Sequence, residues 1–522
     1  MFVYATAGGT PDAMLRVRRL DALDSQPIAG TAGAHTPFLS PDGTTVGFER
    51  DGQIFTVPLS GGGPSRVQNA SYLPEGRPAF TADGRIVYSG LRGDLLIQRP
   101  DSSAPERLTQ APSGEKHISP HVLPDGRTLL FTVVGADLNA VRIASVSLGD
   151  RAVRQIVQDG AMTPQYAGGY LLYVRPDSTL MALPFDAGQV AATGAAVSLP
   201  DRISRTRFGV AGLAASPDII VYAPPTRSRL VEVLADGSRE TLVDETGNWH
   251  HPRYSPDGTR IILDLTAGGT ERDVWMFDRR LKSLSRVTHL GDAHDPAWLP
   301  DGAQVSFFSF KSPGGPLLTT AADGGSEPRG VRTGAGFEAM ELVNPGAWLR
   351  TGNTYVGGVR AGGKPGDIWR IPGNGTAAST IVSSPYDDVA IAISADDRWL
   401  AYQSDETGRA QIYVRAIGGH EGRLQISNSG GVEPVWDRSA QVLYYIEPDG
   451  DRQKLVAVTL RTQPQPAIVS RTVVVQDLGH DDADNHANYD VHPQERRFVI
   501  AQRDRGAGVI AVFDWAASLG SR

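Results

Sequence analysis

The sequence predicts an all-β protein made of tandem β-propellers with four-stranded blades, and three observations support this fold class. A Ser-Pro-Asp-Gly-like hairpin turn recurs along the chain, and a short apolar strand follows each copy of it. Glycine and proline are frequent throughout, with 59 glycines and 36 prolines among 522 residues. This composition suits many short strands joined by tight turns.

The hairpin turn can be followed along the chain by its aspartate, which recurs at Asp42, Asp83, Asp125, Asp218, Asp257, Asp301, Asp396 and Asp437. Successive aspartates are 41, 42, 93, 39, 44, 95 and 41 residues apart. The two long steps each span about two repeats, so each contains a blade whose turn has degraded. We place these blades at residues 162–173 and 344–355, with Asn344-Pro345-Gly346 as the degraded turn of the second.

The chemistry of the turn explains why it recurs at one position in each repeat. Proline fixes φ at the start of the turn, whereas aspartate and glycine accept the left-handed conformations that reverse the chain. Each turn is followed by three strands, as in residues 260–288, so every repeat has four. Four strands in about 40–45 residues is the period of a propeller blade. Other β-solenoids or a row of sandwiches are the alternatives, and neither explains one hairpin turn at a fixed period.

The repeat count predicts two rings. About twelve blade-sized units fit the chain, whereas one propeller usually holds four to eight blades. We therefore predict one six-bladed propeller over residues 1–246 and a second over residues 247–522, with a seven-plus-five division as the alternative. All eight tryptophans lie at or beyond Trp249, which agrees with a division near the middle. The first blade is expected to lack its inner strand, so Met1 is expected to be an internal start within a longer protein.

Composition excludes several classes of function. The net charge is −8 with acids and bases interspersed, so we expect no nucleic-acid partner and no anionic-membrane partner. The absence of cysteine excludes disulfides, thiolate metal sites and cysteine nucleophiles. The N-terminus has no signal-peptide pattern, and no apolar stretch is long enough to span a bilayer. As written, the chain is expected to be cytoplasmic.

Four segments carry a resemblance to a known group, namely residues 16–24, 183–186, 252–260 and 513–515. Their series resembles the TolB-like, WD-type β-propeller repeats of bacteria. More narrowly, it resembles the propeller region that follows the kinase domain of bacterial eukaryotic-like serine/threonine protein kinases. The resemblance covers essentially the whole chain. It implies a sensor or scaffold that is monomeric or joined to an upstream kinase, and extracytoplasmic if the chain is a fragment of a membrane-bound kinase.

Catalytic motifs of the related enzymes are missing from the sequence. It contains no His-Arg-Asp loop, no Asp-Phe-Gly and no glycine-rich phosphate loop, so kinase activity does not follow from the resemblance. It also lacks the Gly-x-Ser-x-Gly of the serine hydrolases that carry propellers. We therefore expect a non-catalytic module that binds a protein or peptide, with no catalytic residue and no cofactor.

Any binding site is expected where residues just before the inner strands meet at the mouth of a propeller channel. The candidate residues there are His250, His251, His294, Asp295, Glu338, Glu433 and His486. Imidazole and carboxylate groups suit a divalent metal or acid–base chemistry. The alternative function is thus a metal-dependent polysaccharide lyase or hydrolase, since oligogalacturonate lyases, a TolB-like branch, use a histidine-lined metal site. Its metal is expected to be held by His250, His251 and His294, with Glu433 or His486 as a further ligand. The competing interpretation is that these side chains solvate a water-filled channel.

Three further expectations concern single features. Neighbours on a strand point to opposite faces, so the pair His250 and His251 adds little to a shared site. Residues 480–486 are rich in aspartate but lack the spacing of a calcium loop, so we expect a solvated loop there. Large tryptophans such as Trp298, Trp399 and Trp436 are expected to fill the core between blades rather than to bind carbohydrate.

Overall fold

The structure is a computed structural model that describes most of the chain. The residues outside the description are 7–13, 23, 51, 71–72, 74–75, 103, 136–140, 158–159, 205–209, 226, 245–246, 267–270, 310–316, 332–341, 353, 361–365, 419–421, 439–440, 450–451, 462–465, 481–485, 504–507 and 520–522. In the described ranges the secondary structure is β-strand apart from one short 3-10 helix, Trp515–Leu519. The predicted all-β class is therefore confirmed. None of the described residues forms a helix with the length and apolarity needed to cross a membrane.

The chain divides into two compact units. The first comprises Met1–Pro225 and Gly506–Arg522, and the second comprises Thr226–Arg505. The division thus falls earlier than residue 246, and the last residues return to the first unit instead of staying with the second. Strand pairing explains this division, because the strand Ile510–Phe513 pairs with Ile219–Tyr222 of the first unit.

The described part of the first unit contains six antiparallel sheets. Their strands are β1 (Phe2–Thr6), β2 (Met14–Arg18), β3 (Gln26–Pro27), β4 (His35–Leu39), β5 (Thr45–Arg50), β6 (Gln53–Pro58), β7 (Ser65–Arg66), β8 (Ala79–Phe80), β9 (Ile86–Ser89), β10 (Leu95–Gln98), β11 (Glu106–Arg107), β12 (Lys116–Val122), β13 (Thr128–Val134), β14 (Val141–Ser147), β15 (Val153–Val157), β16 (Met162–Ala167), β17 (Tyr170–Val174), β18 (Thr179–Asp186), β19 (Ala191–Ala192), β20 (Val197–Arg202), β21 (Leu213–Ala215), β22 (Ile219–Tyr222) and the C-terminal β47 (Ile510–Phe513). The sheets are β1-β2-β3, β4 to β7, β8 to β11, β12 to β15, β16 to β20, and β21-β22-β47.

The described part of the second unit likewise contains six sheets, each with four strands. Its strands are β23 (Ser228–Leu234), β24 (Arg239–Thr241), β25 (Asn248–Tyr254), β26 (Arg260–Thr266), β27 (Arg272–Asp278), β28 (Ser283–Arg286), β29 (His294–Trp298), β30 (Gln304–Phe308), β31 (Leu317–Ala321), β32 (Arg329–Gly330), β33 (Leu342–Trp348), β34 (Thr354–Arg360), β35 (Asp367–Pro372), β36 (Ser379–Val382), β37 (Val389–Ile393), β38 (Trp399–Ser404), β39 (Gln411–Ala416), β40 (Leu424–Gln425), β41 (Val432–Trp436), β42 (Val442–Asp449), β43 (Arg452–Arg461), β44 (Ala467–Val475), β45 (Tyr489–Val491) and β46 (Arg497–Arg503). Five sheets are sequential, and the sixth has the order β24-β23-β46-β45.

The inner strands of the second unit follow one another around a ring. Strand β25 contacts β29, β29 contacts β33, β33 contacts β37, and β37 contacts β41. Strand β41 then contacts β45, and β45 contacts β25, so the six sheets return to their starting point. This is the arrangement of blades in a propeller.

The repeated turn is built around its aspartate, as predicted. Oδ1 of Asp257 accepts hydrogen bonds from the Ser255 hydroxyl at 2.5 Å, the Thr259 amide at 3.0 Å and the Thr259 hydroxyl at 2.9 Å. Gly258 completes the turn with φ of +74°, a conformation that glycine adopts without strain. Asp42 makes the equivalent contacts in the first unit. The aspartate therefore supplies an acceptor for a backbone amide that the reversal of the chain would otherwise leave unpaired.

One predicted turn is misplaced. Residues 344–346 lie within β33, where pairing with β34 shifts register between Asn344 and Ala347. The turn follows at Gly352, which has φ of +69° and donates its amide to the carbonyl of Leu349 at 2.7 Å. A Pro-Gly pair at a bulge has the composition of a hairpin turn, and this caused the error. The other degraded blade is confirmed, with β16 and β17 joined at residues 168–169.

The three tryptophans predicted to fill the core do lie there. Trp298 packs in a cluster of buried apolar side chains from the sheets of β25 and β29. Trp399 and Trp436 pack together in the cluster formed by the sheets of β37 and β41. All three are less than a tenth exposed, so they fill the space between neighbouring sheets.

Glu232 stabilises the sheet in which two distant segments of the chain meet. It lies on β23, and its carboxylate accepts hydrogen bonds from Arg279 at 2.8 Å, Arg497 of β46 at 2.6 Å and the Tyr254 hydroxyl at 2.6 Å. Burial alone would raise the pKa of the Glu232 carboxyl, but these hydrogen bonds outweigh burial and the pKa is lowered. The carboxylate therefore joins β23, β46 and the adjacent sheet.

We expect Glu232→Gln to lower the free energy of unfolding at pH 7 by roughly 2–3 kcal/mol, because two arginines lose their charged partner. A lowered pKa means that the stabilisation is present above the unfolded pKa of about 4.3 and is lost as pH falls through the folded value. The difference between variant and wild type should therefore shrink below about pH 4. Urea unfolding at several pH values measures this. Glu240→Gln, in an exposed pair with Lys282 at 3.8 Å, is the control and should change stability by under about 0.5 kcal/mol.

Trp515 attaches the C-terminal segment to the first unit. It is 1% exposed, packs against Tyr170 with ring centroids 5.6 Å apart, and donates its indole N–H to the carbonyl of Ser216 at 3.0 Å. We expect Trp515→Ala to destabilise the first unit by about 3–5 kcal/mol, since a large buried side chain is removed. Phe513→Ala, on β47 but 58% exposed, is the matched control. Equal thermal stability of the two variants would contradict this role of Trp515.

Candidate functional site

The inner strands of both units share a bulge near their first residues. The residue at the bulge has φ between +49° and +55° in seven strands, at Thr36, Ser119, Thr163, His251, Asp295, Ala390 and Glu433. In each strand the pairing register shifts at this point. A left-handed φ at a residue other than glycine costs about 1–3 kcal/mol, so the surrounding structure has to stabilise it.

The bulge changes the direction of neighbouring side chains. His251 has φ of +53°, and its ring lies 4.5 Å from that of His486, measured between centroids. The ring of His250 also lies 4.5 Å from His486, and the rings of His250 and His251 are 6.4 Å apart. The expectation that the two neighbours serve opposite faces is therefore wrong, because the bulge interrupts the alternation of the strand.

Side chains of neighbouring strands accept the backbone amides at these positions. The amide of His251 donates to Oδ1 of Asn488 at 2.7 Å, and the amide of Asn488 donates to Oε2 of Glu433 at 2.8 Å. The amide of Asp295 donates to Oδ2 of Asp264 at 2.8 Å. Each bond joins one sheet to the preceding sheet of the ring, so the polar side chains hold the inner strands together.

Asp295 lies at the centre of the candidate site. Its Oδ2 is 2.8 Å from Nδ1 of His294, whereas its Oδ1 lies 3.6 Å from each of three nitrogens, on His250, His486 and Arg272. Oδ1 is buried and has no hydrogen-bond partner among the described residues. The structure thus brings together five predicted site residues, His250, His251, His294, Asp295 and His486.

Two charged residues of the site were missed by the sequence reasoning. Asp264 on β26 is fully buried and accepts a hydrogen bond from Nε of Arg272 at 2.5 Å. Arg272 on β27 also contacts Nδ1 of His250 through Nη2. The available signal was the charged Asp264 inside the apolar run of residues 261–265, because a charge within a buried strand needs a partner.

Glu433 and His480 form a buried pair beside the site. Nε2 of His480 lies 2.9 Å from Oε2 of Glu433, and both side chains are fully buried. The prediction of a solvated loop is therefore wrong for His480 and also for His486, which is 4% exposed, while residues 481–485 lie outside the described residues. Glu433 accepts the Asn488 amide and the His480 ring, so it supports the inner strands. Glu338 also lies outside the described residues.

Burial lowers the pKa of two histidines of the site, His251 and His486. It lowers the pKa of His486 to about 3 and holds the pKa of His251 well below the usual value, so both rings are neutral at pH 7. Burial alone would raise the pKa of the Asp295 carboxyl, but His294 and Arg272 outweigh it, and the pKa lies well below its usual range. The site thus presents the ionised carboxylate of Asp295 next to the neutral rings of His251 and His486.

In the described part of the first unit, a comparable position is found at His35. His35 stands directly before the bulge of β4, as His250 does in β25, and its Nδ1 lies 3.3 Å from Oε2 of the buried Glu49. Among the described residues, a set of three side chains able to hold one metal ion is found only at His250, Asp295 and His486. The strand bulge is therefore common to both units, whereas the three side chains that could hold one metal ion belong to the second unit.

Comparison with known proteins returns structures rather than families. No protein-family model matches the chain. A putative TolB from Agrobacterium tumefaciens is similar over 53% of this chain and 99% of its own, with 16% identity and a TM-score of 0.41. TolB from Acinetobacter baumannii is similar over 68% and 79%, with 12% identity and a TM-score of 0.32. The tricorn protease is similar over 98% and 55%, with 14% identity and a TM-score of 0.33.

We expect Asn488→Ala to lower the free energy of unfolding by about 1–3 kcal/mol, because the buried amide of His251 loses its acceptor. Asn428→Ala is the matched control, since Asn428 is exposed and accepts a bond from Arg471 at 3.0 Å. Chemical unfolding of both variants measures the difference. Equal stability would show that the bulge does not depend on this side chain.

Proposed function

We propose that the chain is a non-catalytic binding module that takes a peptide segment of a partner protein at the His250, His294 and Asp295 cluster. The observation that carries this proposal is the convergence of partly exposed polar side chains from different sheets of the second unit. The side chain of His250 is 26% exposed, that of His294 is 15% exposed and that of Arg272 is 29% exposed. These side chains offer hydrogen-bond donors and acceptors, and the strands that carry them are fixed by their places in the ring of sheets.

The chemistry of the cluster suits the polar groups of a peptide. Arg272 can donate to carbonyl or carboxylate oxygens, and imidazole nitrogens can donate or accept. Binding residues set on a rigid frame lose little entropy when a ligand binds. The resemblance to kinase-associated propellers implies a sensor or scaffold, and this proposal places its ligand on the second unit.

A second candidate function is a metal-dependent enzyme that cleaves polysaccharide. It is favoured by the proximity of two imidazoles and one carboxylate at His250, His486 and Asp295. Such a group suits a divalent ion that could activate water or a sugar hydroxyl. The two candidates share His250 and Asp295 but predict different outcomes, namely a stable peptide complex in the first case and cleaved sugar chains in the second.

The test begins with peptides selected by display on the purified full chain. We expect His250→Ala and His294→Ala each to weaken the binding of the selected peptides about tenfold or more in calorimetric titration. This corresponds to a loss of about 1.4 kcal/mol in binding free energy. His35→Ala, at the equivalent position of the first unit, should leave the affinity unchanged. Equal affinity in all variants would contradict the proposed site. Release of reducing ends from acidic polysaccharides with Mn²⁺ or Ca²⁺ would favour the enzyme instead.

A further inference from the structure

The ligand atoms of His250, Asp295 and His486 form a triangle. One atom from each of the three side chains lies within 4.8 Å of the others. Nδ1 of His250 and Nε2 of His486 are each 3.6 Å from Oδ1 of Asp295. A tetrahedral ion with bonds of about 2.0–2.1 Å holds its ligand atoms about 3.4 Å apart. The two separations of 3.6 Å are therefore close to those around a bound ion.

Oδ1 of Asp295 has an ion-pair partner in Arg272, at 3.6 Å, but no hydrogen bond among the described residues. Oδ1 is buried, whereas Oδ2 already pairs with His294. An ionised oxygen in this position is costly unless a cation or donor satisfies it. The two imidazole nitrogens at 3.6 Å are too distant for hydrogen bonds, so a cation between the three atoms would satisfy the oxygen.

The charges around the triangle leave room for a cation. Asp264 and Asp295 carry two negative charges, and Arg272 supplies one positive charge. Nε of Arg272 is bound to Asp264 at 2.5 Å, whereas its Nη2 lies 3.6 Å from Asp295. Arg272 thus belongs mainly to Asp264. Nη2 of Arg272 contacts Nδ1 of His250, so an ion bound at that nitrogen would replace this contact, while Nε of Arg272 keeps its bond to Asp264.

We infer that His250, Asp295 and His486 form a three-ligand site for a divalent first-row transition-metal ion such as Zn²⁺. Two imidazole nitrogens and one carboxylate oxygen are a ligand set that this class of ion prefers over Ca²⁺ or Mg²⁺. His294 and Asp264 hold Asp295 in place. The ring of His294 hydrogen-bonds the Asp295 carboxylate, and Asp264 accepts a hydrogen bond from the Asp295 amide. Three protein ligands leave a coordination position for an atom of a bound molecule.

Titration of the chelator-treated, untagged full chain with Zn²⁺ tests the site. We expect about one equivalent to bind, and His250→Ala, His486→Ala and Asp295→Asn each to weaken binding at least about 100-fold. Co²⁺ at the same site should give visible absorption bands that are lost in these variants. His35→Ala, beside Glu49 in the first unit, is the control and should bind as wild type does.

Asp295→Asn keeps the shape of the side chain, and circular dichroism of every variant confirms that it is folded. Failure of the wild-type chain to bind Zn²⁺ or Co²⁺ in stoichiometric amount would overturn the inference. Wild-type affinity in the folded Asp295→Asn and His250→Ala variants would overturn it as well. The readout needs no peptide, so the metal site and the proposed peptide binding succeed or fail separately.

Discussion

Seven inner strands of this protein, from both units, depend on a bulge with a left-handed residue. The conformation is unfavourable for residues such as Thr36 and His251, so it persists only where the neighbouring structure compensates. In the second unit, the side chains of Asn488 and Asp264 accept hydrogen bonds from the amides of His251 and Asp295 across the boundary between sheets. The same bonds therefore stabilise the bulge and hold neighbouring sheets together.

The candidate site follows from that constraint. A regular strand would have directed His250 and His251 to opposite faces, whereas the bulge lets both rings contact His486. The amide of Asp295 is fixed by Asp264, and Asp264 in turn binds Arg272. The side chains of the candidate site are therefore held by the same contacts that join the inner strands of the ring.

Each unit also contains one sheet whose strands come from distant parts of the chain. In the second unit, β23 pairs with β46 although more than 260 residues separate some of the partners, such as Leu234 and Arg497. Glu232 adds a charged contact across this pairing. In the first unit, β22 pairs with β47, and Trp515 packs behind it. Each unit therefore contains one sheet assembled from distant segments, and both sheets depend on the C-terminal part of the chain.

The sequence by itself determined the all-β class, the blade period and the turn chemistry, because these depend on local interactions. The Asp257 turn, the buried Trp298 and the histidines before the inner strands could all be recognised from neighbours in the sequence. Only the tertiary structure decided which strands close each unit and which polar residues meet. Asp264 lies in the site because it accepts a hydrogen bond from the Asp295 amide of the next sheet, and Arg272 lies there because it binds Asp264. His480 is buried beside Glu433 of the preceding sheet. The triangle around Asp295 likewise depends on a bulge whose left-handed residue has no fixed identity, from Thr36 to Glu433, so composition could not reveal it.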